Sequence, residues 1–179
     1  MPGTKRGLML AAAVSSFTAC TAMNNGSSLK EHLEAQGYSA IPLRKLSTGH
    51  ESVVVSLNGR EGLFVLDSGA GGSVVHSTYA SSFGLQVPTG PSTSGTGAGG
   101  QITLQTYKVS SFSLSGTIIP LNAIMVTSIQ PVVDALKNAA GVDIQGVIGQ
   151  DLLTKFSGII DVRGQMLYIR AEPTKADHR

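Results

Sequence analysis

Leu63-Phe64-Val65-Leu66-Asp67-Ser68-Gly69-Ala70 runs four apolar residues straight into an acid. Such a run, bounded by a turn signal, reads as a strand covered on both faces. A carboxylate at the end of a strand of this kind sits where water is scarce, so its ionisation is costly without partners. Ser68 brings a hydroxyl to nearby backbone, and Gly69 admits a turn with positive φ. The plain reading is a strand closed by an Asp-Ser-Gly turn, because all three are ordinary turn residues. The flanking sequence decides whether Asp67 is more than that.

Upstream, Ser52-Val53-Val54-Val55-Ser56-Leu57 is β-branched and apolar, and Asn58-Gly59 after it is the strongest short hairpin signal. The return strand, Leu63 to Leu66, delivers Asp67, so the hairpin fixes the register on which that residue sits. Downstream, Gly71-Gly72 turns a corner into the extended piece Ser73-Val74-Val75-His76. Ser77 to Phe83 suits a short helix, with Ser77 as N-cap and Gly84 as its stop. His76 stands beside an apolar pair and reads as a satisfied structural histidine. With His32, His50 and His178 scattered, no metal-ligand spacing emerges, and no metal or cofactor is expected.

Gly95, Gly97 and Gly100 match G-x-G-x-x-G, but a Pro-Ser-Thr loop precedes them and Gln101-Ile102-Thr103-Leu104-Gln105 alternates like a strand. A dinucleotide fingerprint needs a strand before it and a helix after it, so that reading is rejected. Residues 89–100 are then a plain connector or a lid over a cleft. Strands are expected over Gln101–Val109, Ser111–Leu114, Thr117–Ile119 and Ala123–Val126, and a helical turn or two over Pro131–Asn138 with Pro131 first. Gly146-Val147-Ile148-Gly149-Gln150-Asp151-Leu152-Leu153 is an apolar strand, a glycine, and an acid opening a short helix; Asp151 reads as its N-cap or first-turn acid. Ile159 to Ile169 closes as a hairpin, with Asp161 leading into its turn.

The 179 residues allow one domain, and 22 glycines with only 5% aromatic and 13% charged residues describe a turn-rich β chain. A net charge of +2, with no basic stripe, sets nucleic-acid binding aside. Ahead of the domain, Lys5 and Arg6, the apolar run Gly7–Val14 and the small residues before Cys20 have the order of a secretory signal. That run is too short for a permanent membrane span of about 20 apolar residues. Phe17-Thr18-Ala19-Cys20 resembles the lipobox of bacterial lipoproteins, with Phe where Leu is usual; the resemblance implies lipidation of Cys20. Cys20 is the only cysteine in the chain, so it has no disulfide partner within it. The alternative is a plain signal peptide with a leftover thiol. By the sorting habit of the lipoproteins it resembles, Thr21 rather than Asp after the cysteine implies the outer membrane, on its periplasmic side. The expected organisation is a signal peptide over 1–20, a polar tether and short helix over 21–40, the β domain over 41–171, and a polar tail over 172–179.

Two segments together resemble one family. Leu63 to Val75 looks like the active-site strand of retropepsin-like aspartic proteases, two hydrophobic residues followed by Asp-[Ser/Thr]-Gly-Ala. Gly146 to Leu153 looks like the family's apolar-apolar-Gly-x-Asp-Leu-Leu segment. Their separation suits the single-lobe retroviral type. The resemblance implies an all-β, single-lobe barrel with one or two short helices. It implies Asp67 as the catalytic aspartate, with Ser68, Gly69 and Ala70 completing its motif and Val147, Ile148 and Gly149 packing beside it. The flap would fall within Thr93–Ile102.

Chemistry then demands a partner. Two carboxylates sharing a proton let one act as base toward water while the other donates to the scissile carbonyl. The chain has one Asp-[Ser/Thr]-Gly, so the second aspartate comes from another copy, in an isologous C2 homodimer acting on a peptide or protein substrate. The rival is a non-catalytic peptide-binding or envelope-associated module on the same fold. A serine hydrolase lacks its G-x-S-x-G elbow here.

Overall fold

Asn58 and Gly59 both have positive φ, 51° and 78°, the backbone that a two-residue turn needs to match the twist of its strands. Asn58 then locks that turn from outside. Its Oδ1 accepts from Ser110 N–H at 2.8 Å, and its Nδ2 donates to the Phe83 carbonyl at 3.0 Å. The computed structural model describes residues 28–97 and 100–170. The expected signal peptide, Cys20, most of the tether and the tail lie outside these described residues.

In chain order, α1 (Leu29–Ala35) leads to β1 (Ser39–Pro42), β2 (Arg44–Lys45), β3 (Glu51–Leu57), β4 (Arg60–Leu66) and β5 (Val74–His76). Next come β6 (Thr93–Gly97), β7 (Gly100–Lys108), β8 (Phe112–Leu114), β9 (Thr117–Ile118) and β10 (Ala123–Thr127). The chain ends with α2 (Gln130–Ala140), β11 (Gly146–Ile148), α3 (Gln150–Lys155), β12 (Ile159–Asp161) and β13 (Met166–Ile169). The fold is a single β-rich lobe carrying short helices, as the sequence implies.

The large sheet has ten strands, in the order β6-β7-β10-β5-β11-β4-β3-β8-β9 with β2 on β3, and a three-stranded sheet runs β1-β13-β12. Both sheets and α3 send side chains into one core, where Phe64, Ile41, Leu152 and Leu167 are buried. Full burial of a side chain such as Phe64 contributes on the order of 1.5–3 kcal/mol. A second cluster forms under α2, where Val133 and Leu136 meet Leu46, Val65 and Ile144.

The strand that positions the site is β11. It inserts between β4, which it joins in parallel (Val147 opposite Val65), and β5, which it joins antiparallel (Val147 opposite Val74). Gly146 makes the insertion feasible, because a Cβ there would overlap the Phe64 ring and the Val74 carbonyl.

Three expectations change. The segment Ser77–Phe83 forms only a 3₁₀ turn over Ser77–Tyr79, and His76 rather than Ser77 holds the cap position, with no side-chain cap bond. Gly84, with φ +71°, turns the chain after it. The glycine-rich stretch is not a structureless loop: β6 pairs with β7 from Thr93 opposite Leu104 to Gly97 opposite Gly100. Finally, the expected turn or two at Pro131 extends to an 11-residue helix that begins at Gln130 and ends on Gly141 in the left-handed conformation.

Glu51 strains the polar accounting. It is 8% exposed, and both carboxylate oxygens are buried without a hydrogen-bond partner among the described residues. A buried polar group in that state costs about 1–3 kcal/mol. Glu51→Leu is therefore expected to stabilise the fold by up to about that amount, read as a raised urea midpoint with an unchanged slope.

Candidate active site

β4 ends at Leu66, and Asp67 leaves the sheet with its backbone still held: its N–H donates to the Ile148 carbonyl at 2.9 Å. The turn then closes on itself. Gly69 N–H donates to Asp67 Oδ1 at 2.8 Å, and Ala70 N–H to the Asp67 carbonyl at 3.1 Å. This is the Asx-type turn that Asp, Ser and Gly favour. The other side of the loop is tied to α3. Gln150 Nε2 donates to the Ser68 carbonyl and Gln150 N–H to the Ala70 carbonyl, both at 2.8 Å.

Contrary to expectation, the Asp67 side chain is not short of water in the single chain. It is exposed, because the strand stops one residue before it and the turn faces an open cleft of about 750 Å³. Asp67, Gly69 and Ala70 line that cleft together with Val147. The β6–β7 hairpin contributes Gly95, Thr96, Gly97, Ile102 and Leu104, in the region where the sequence implied a flap. Ile129 and, from α2, Pro131, Val132 and Ala135 supply a further border. Apart from Asp67 and His50, the lining is apolar or uncharged, a surface suited to an extended chain with apolar side chains.

Val147, Ile148 and Gly149 lie beside the turn. Val147 reaches the cleft, the Ile148 carbonyl holds Asp67, and Gly149 fits where a Cβ would come within 2.6 Å of the Gly72 oxygen and 2.8 Å of the Ala70 oxygen. That approach permits a polar knot the sequence did not reveal. Gly149 N–H donates to Ser73 Oγ at 2.9 Å, and Ser73 Oγ donates to Asp151 Oδ1 at 2.7 Å. The same oxygen accepts from Ser73 N–H at 2.8 Å and Leu152 N–H at 2.7 Å. Asp151 is thus the expected first-turn acid of α3, and it also fastens that helix to the strand leaving the active-site turn. No spacing rule links positions 78 apart, and nothing local to Ser73 points to Asp151.

Asp161 takes no part. Its Oδ1 accepts from Gly164 N–H at 2.8 Å within the β12–β13 turn. His76 is buried and hydrogen-bonded, the structural histidine expected.

A strand-borne aspartate in an Asp-Ser-Gly turn, facing a cleft bordered by a β-hairpin, is the arrangement of an aspartic peptidase. Residues 53–152 match the family described as aspartyl protease, and the chain belongs to that family. Among solved structures, it is similar to a retropepsin-like aspartic protease from Rickettsia conorii, with 17% identity over 74% of this chain and 88% of that one and a TM-score of 0.45. No curated protein sequence matches it significantly.

Ser73→Ala removes an acceptor from the buried Gly149 N–H and a donor from Asp151. Ser73 is 3% exposed, so water cannot replace it, and a loss of about 1–3 kcal/mol is expected in chemical denaturation. A cost within experimental error would show that the knot does not hold the turn.

Proposed function

We propose that this chain is an aspartic endopeptidase that works as a C2 homodimer, with one Asp67 from each copy. The observation that carries the reading is the placement of Asp67: its carboxylate is oriented by Gly69 N–H at 2.8 Å and faces a cleft large enough for a peptide. A single carboxylate cannot be both acid and base in one step. The chain holds no second Asp-[Ser/Thr]-Gly, and Asp161 is occupied in its own turn.

In the dimer the two carboxylates would share one proton, since like charges held close cannot both ionise readily. The ionised one takes a proton from water as that water attacks the scissile carbonyl. The protonated one donates to the carbonyl oxygen, giving a gem-diol that collapses when the leaving nitrogen is protonated. Gln150 holds the turn rigid through the Ser68 and Ala70 carbonyls, and the β6–β7 hairpin would cover the bound peptide.

Asp67→Asn is expected to leave the unfolding transition unchanged and to lower peptide cleavage by about 100- to 10,000-fold, the range of positioned acid–base catalysis. Cleavage retained in that variant refutes the mechanism, and a strictly monomeric active species, read by sedimentation, refutes the dimer. Peptide binding without cleavage by the wild type would favour the non-catalytic module instead.

The leader supports a second part of the proposal, that the protein is exported and held at the periplasmic face of the outer membrane by lipid on Cys20. Intact-mass spectrometry of the mature protein is expected to show Cys20 at the N-terminus with added acyl mass, and Cys20→Ser to lose it. A mature N-terminus elsewhere, without lipid, rules out the anchor.

A further inference from the structure

His76 ends β5, and its ring is committed to the helix that borders the cleft. The residue is 2% exposed. Ile129 N–H donates to its Nδ1 at 3.2 Å, which requires an Nδ1 without a proton and so places the ring proton on Nε2. Nε2 lies 3.1 Å from Gln130 Oε1 and 3.3 Å from Thr78 Oγ1. The Gln130 amide agrees with that tautomer: its Nε2 donates to Asp134 Oδ1 at 2.8 Å, leaving Oε1 to face the imidazole.

The start of α2 has no side-chain cap of its own. Ile129 occupies the cap position, and Pro131 lies within the first two helical residues. His76 therefore grips both residues at which the helix begins, and the placement of that helix shapes the cleft. One face of α2 buries Val133 and Leu136 in the second core cluster, while Pro131, Val132 and Ala135 border the space beside Asp67.

We propose that His76 is a positioning residue for substrate: its neutral ring fixes the first turn of α2, and through Pro131, Val132 and Ala135 it sets the width of the cleft offered to an apolar peptide side chain. The other groups around the ring leave this arrangement in place. Tyr79 stands edge-on at 5.8 Å, and β10 and the residue before β11 bring the neutral Thr127 and Gln145. From α2, Asp134 is already engaged by Gln130, and Lys137 pairs with Asp143 at 3.0 Å. The role in substrate binding rests on the protease reading; the latch itself does not.

The test compares wild type, His76→Gln and His76→Phe in the full chain, by amide hydrogen-exchange protection at about pH 7.5. Gln offers a donor and an acceptor; Phe keeps the ring contact with Tyr79 and neither hydrogen bond. In His76→Phe, protection of residues 129, 130, 132 and 133 is expected to fall about fivefold below wild type, the equilibrium worth of one neutral hydrogen bond, and His76→Gln should recover part of that loss. Equal protection in wild type and His76→Phe, or a loss in His76→Gln as large as in His76→Phe, overturns the latch. Protection of the β3–β4 hairpin serves as the folding control; where His76→Phe loses it, the comparison of wild type with His76→Gln decides alone. In peptide assays at about pH 7.5, His76→Phe should raise KM about fivefold with kcat within about twofold, because the change removes positioning and leaves the reacting groups intact. An equal loss in kcat overturns the positioning role. A wild type that cleaves no peptide sinks the protease reading, while the exchange arm still decides the latch.

Discussion

The closeness with which β11 can be driven between β4 and β5 governs this structure. At its far end Gly149 lies against the Gly72 and Ala70 carbonyls, at separations no side chain would tolerate. From that contact the Gly149 N–H reaches Ser73, Ser73 reaches Asp151, and α3 begins in line with the turn that carries Asp67. Each buried polar group in the sequence of contacts is satisfied by the next, which is the condition for a polar network to rigidify rather than destabilise. Asp67 is thus oriented by backbone that has little freedom to relax.

The cleft, by contrast, is assembled from parts with different tolerance for motion. Its Asp67 side rests on sheet pairing and the polar knot. Strand β6 is built from Thr, Ser and Gly, and neither it nor β7 holds a buried residue, so little apolar burial holds the hairpin down. α2 lies between these extremes, with one face in a small core cluster and its start held by His76. A rigid floor with softer borders suits a site that must admit an extended chain and then close over it.

Much of this was legible in the residues. Asn58-Gly59 specified its hairpin because only left-handed backbone fits that turn, and Gly146–Leu153 specified a strand, a glycine and a helix in order. What escaped was set by partners distant in sequence. Nothing near Ser73 announces Asp151, and nothing near His76 announces Ile129, since both depend on how β5 is stacked beside β10 and β11. The strand β6 was hidden for another reason: Thr93-Ser-Gly-Thr-Gly97 has the composition of a loop, and only its pairing with β7 makes it a strand. The water around Asp67 was misjudged because the apolar run stops at Leu66, and burial of the strand does not extend to the residue after it.

That exposure bears on the proposed dimer. A lone carboxylate in open water has no partner to share a proton with; the shared proton that makes an aspartate pair useful arises only when a second copy brings its own carboxylate close and displaces solvent. On this reading the catalytic state is created by association, so activity depends on how often two chains meet. A lipid at Cys20 would then do more than fix location. Confining both copies to one membrane face, on a polar tether, raises their effective concentration without any added contact, and it couples the chemistry at Asp67 to the presence of the anchor. A soluble copy at the same bulk concentration would spend more time as a monomer, with a well-formed turn, an intact cleft and half of an active site.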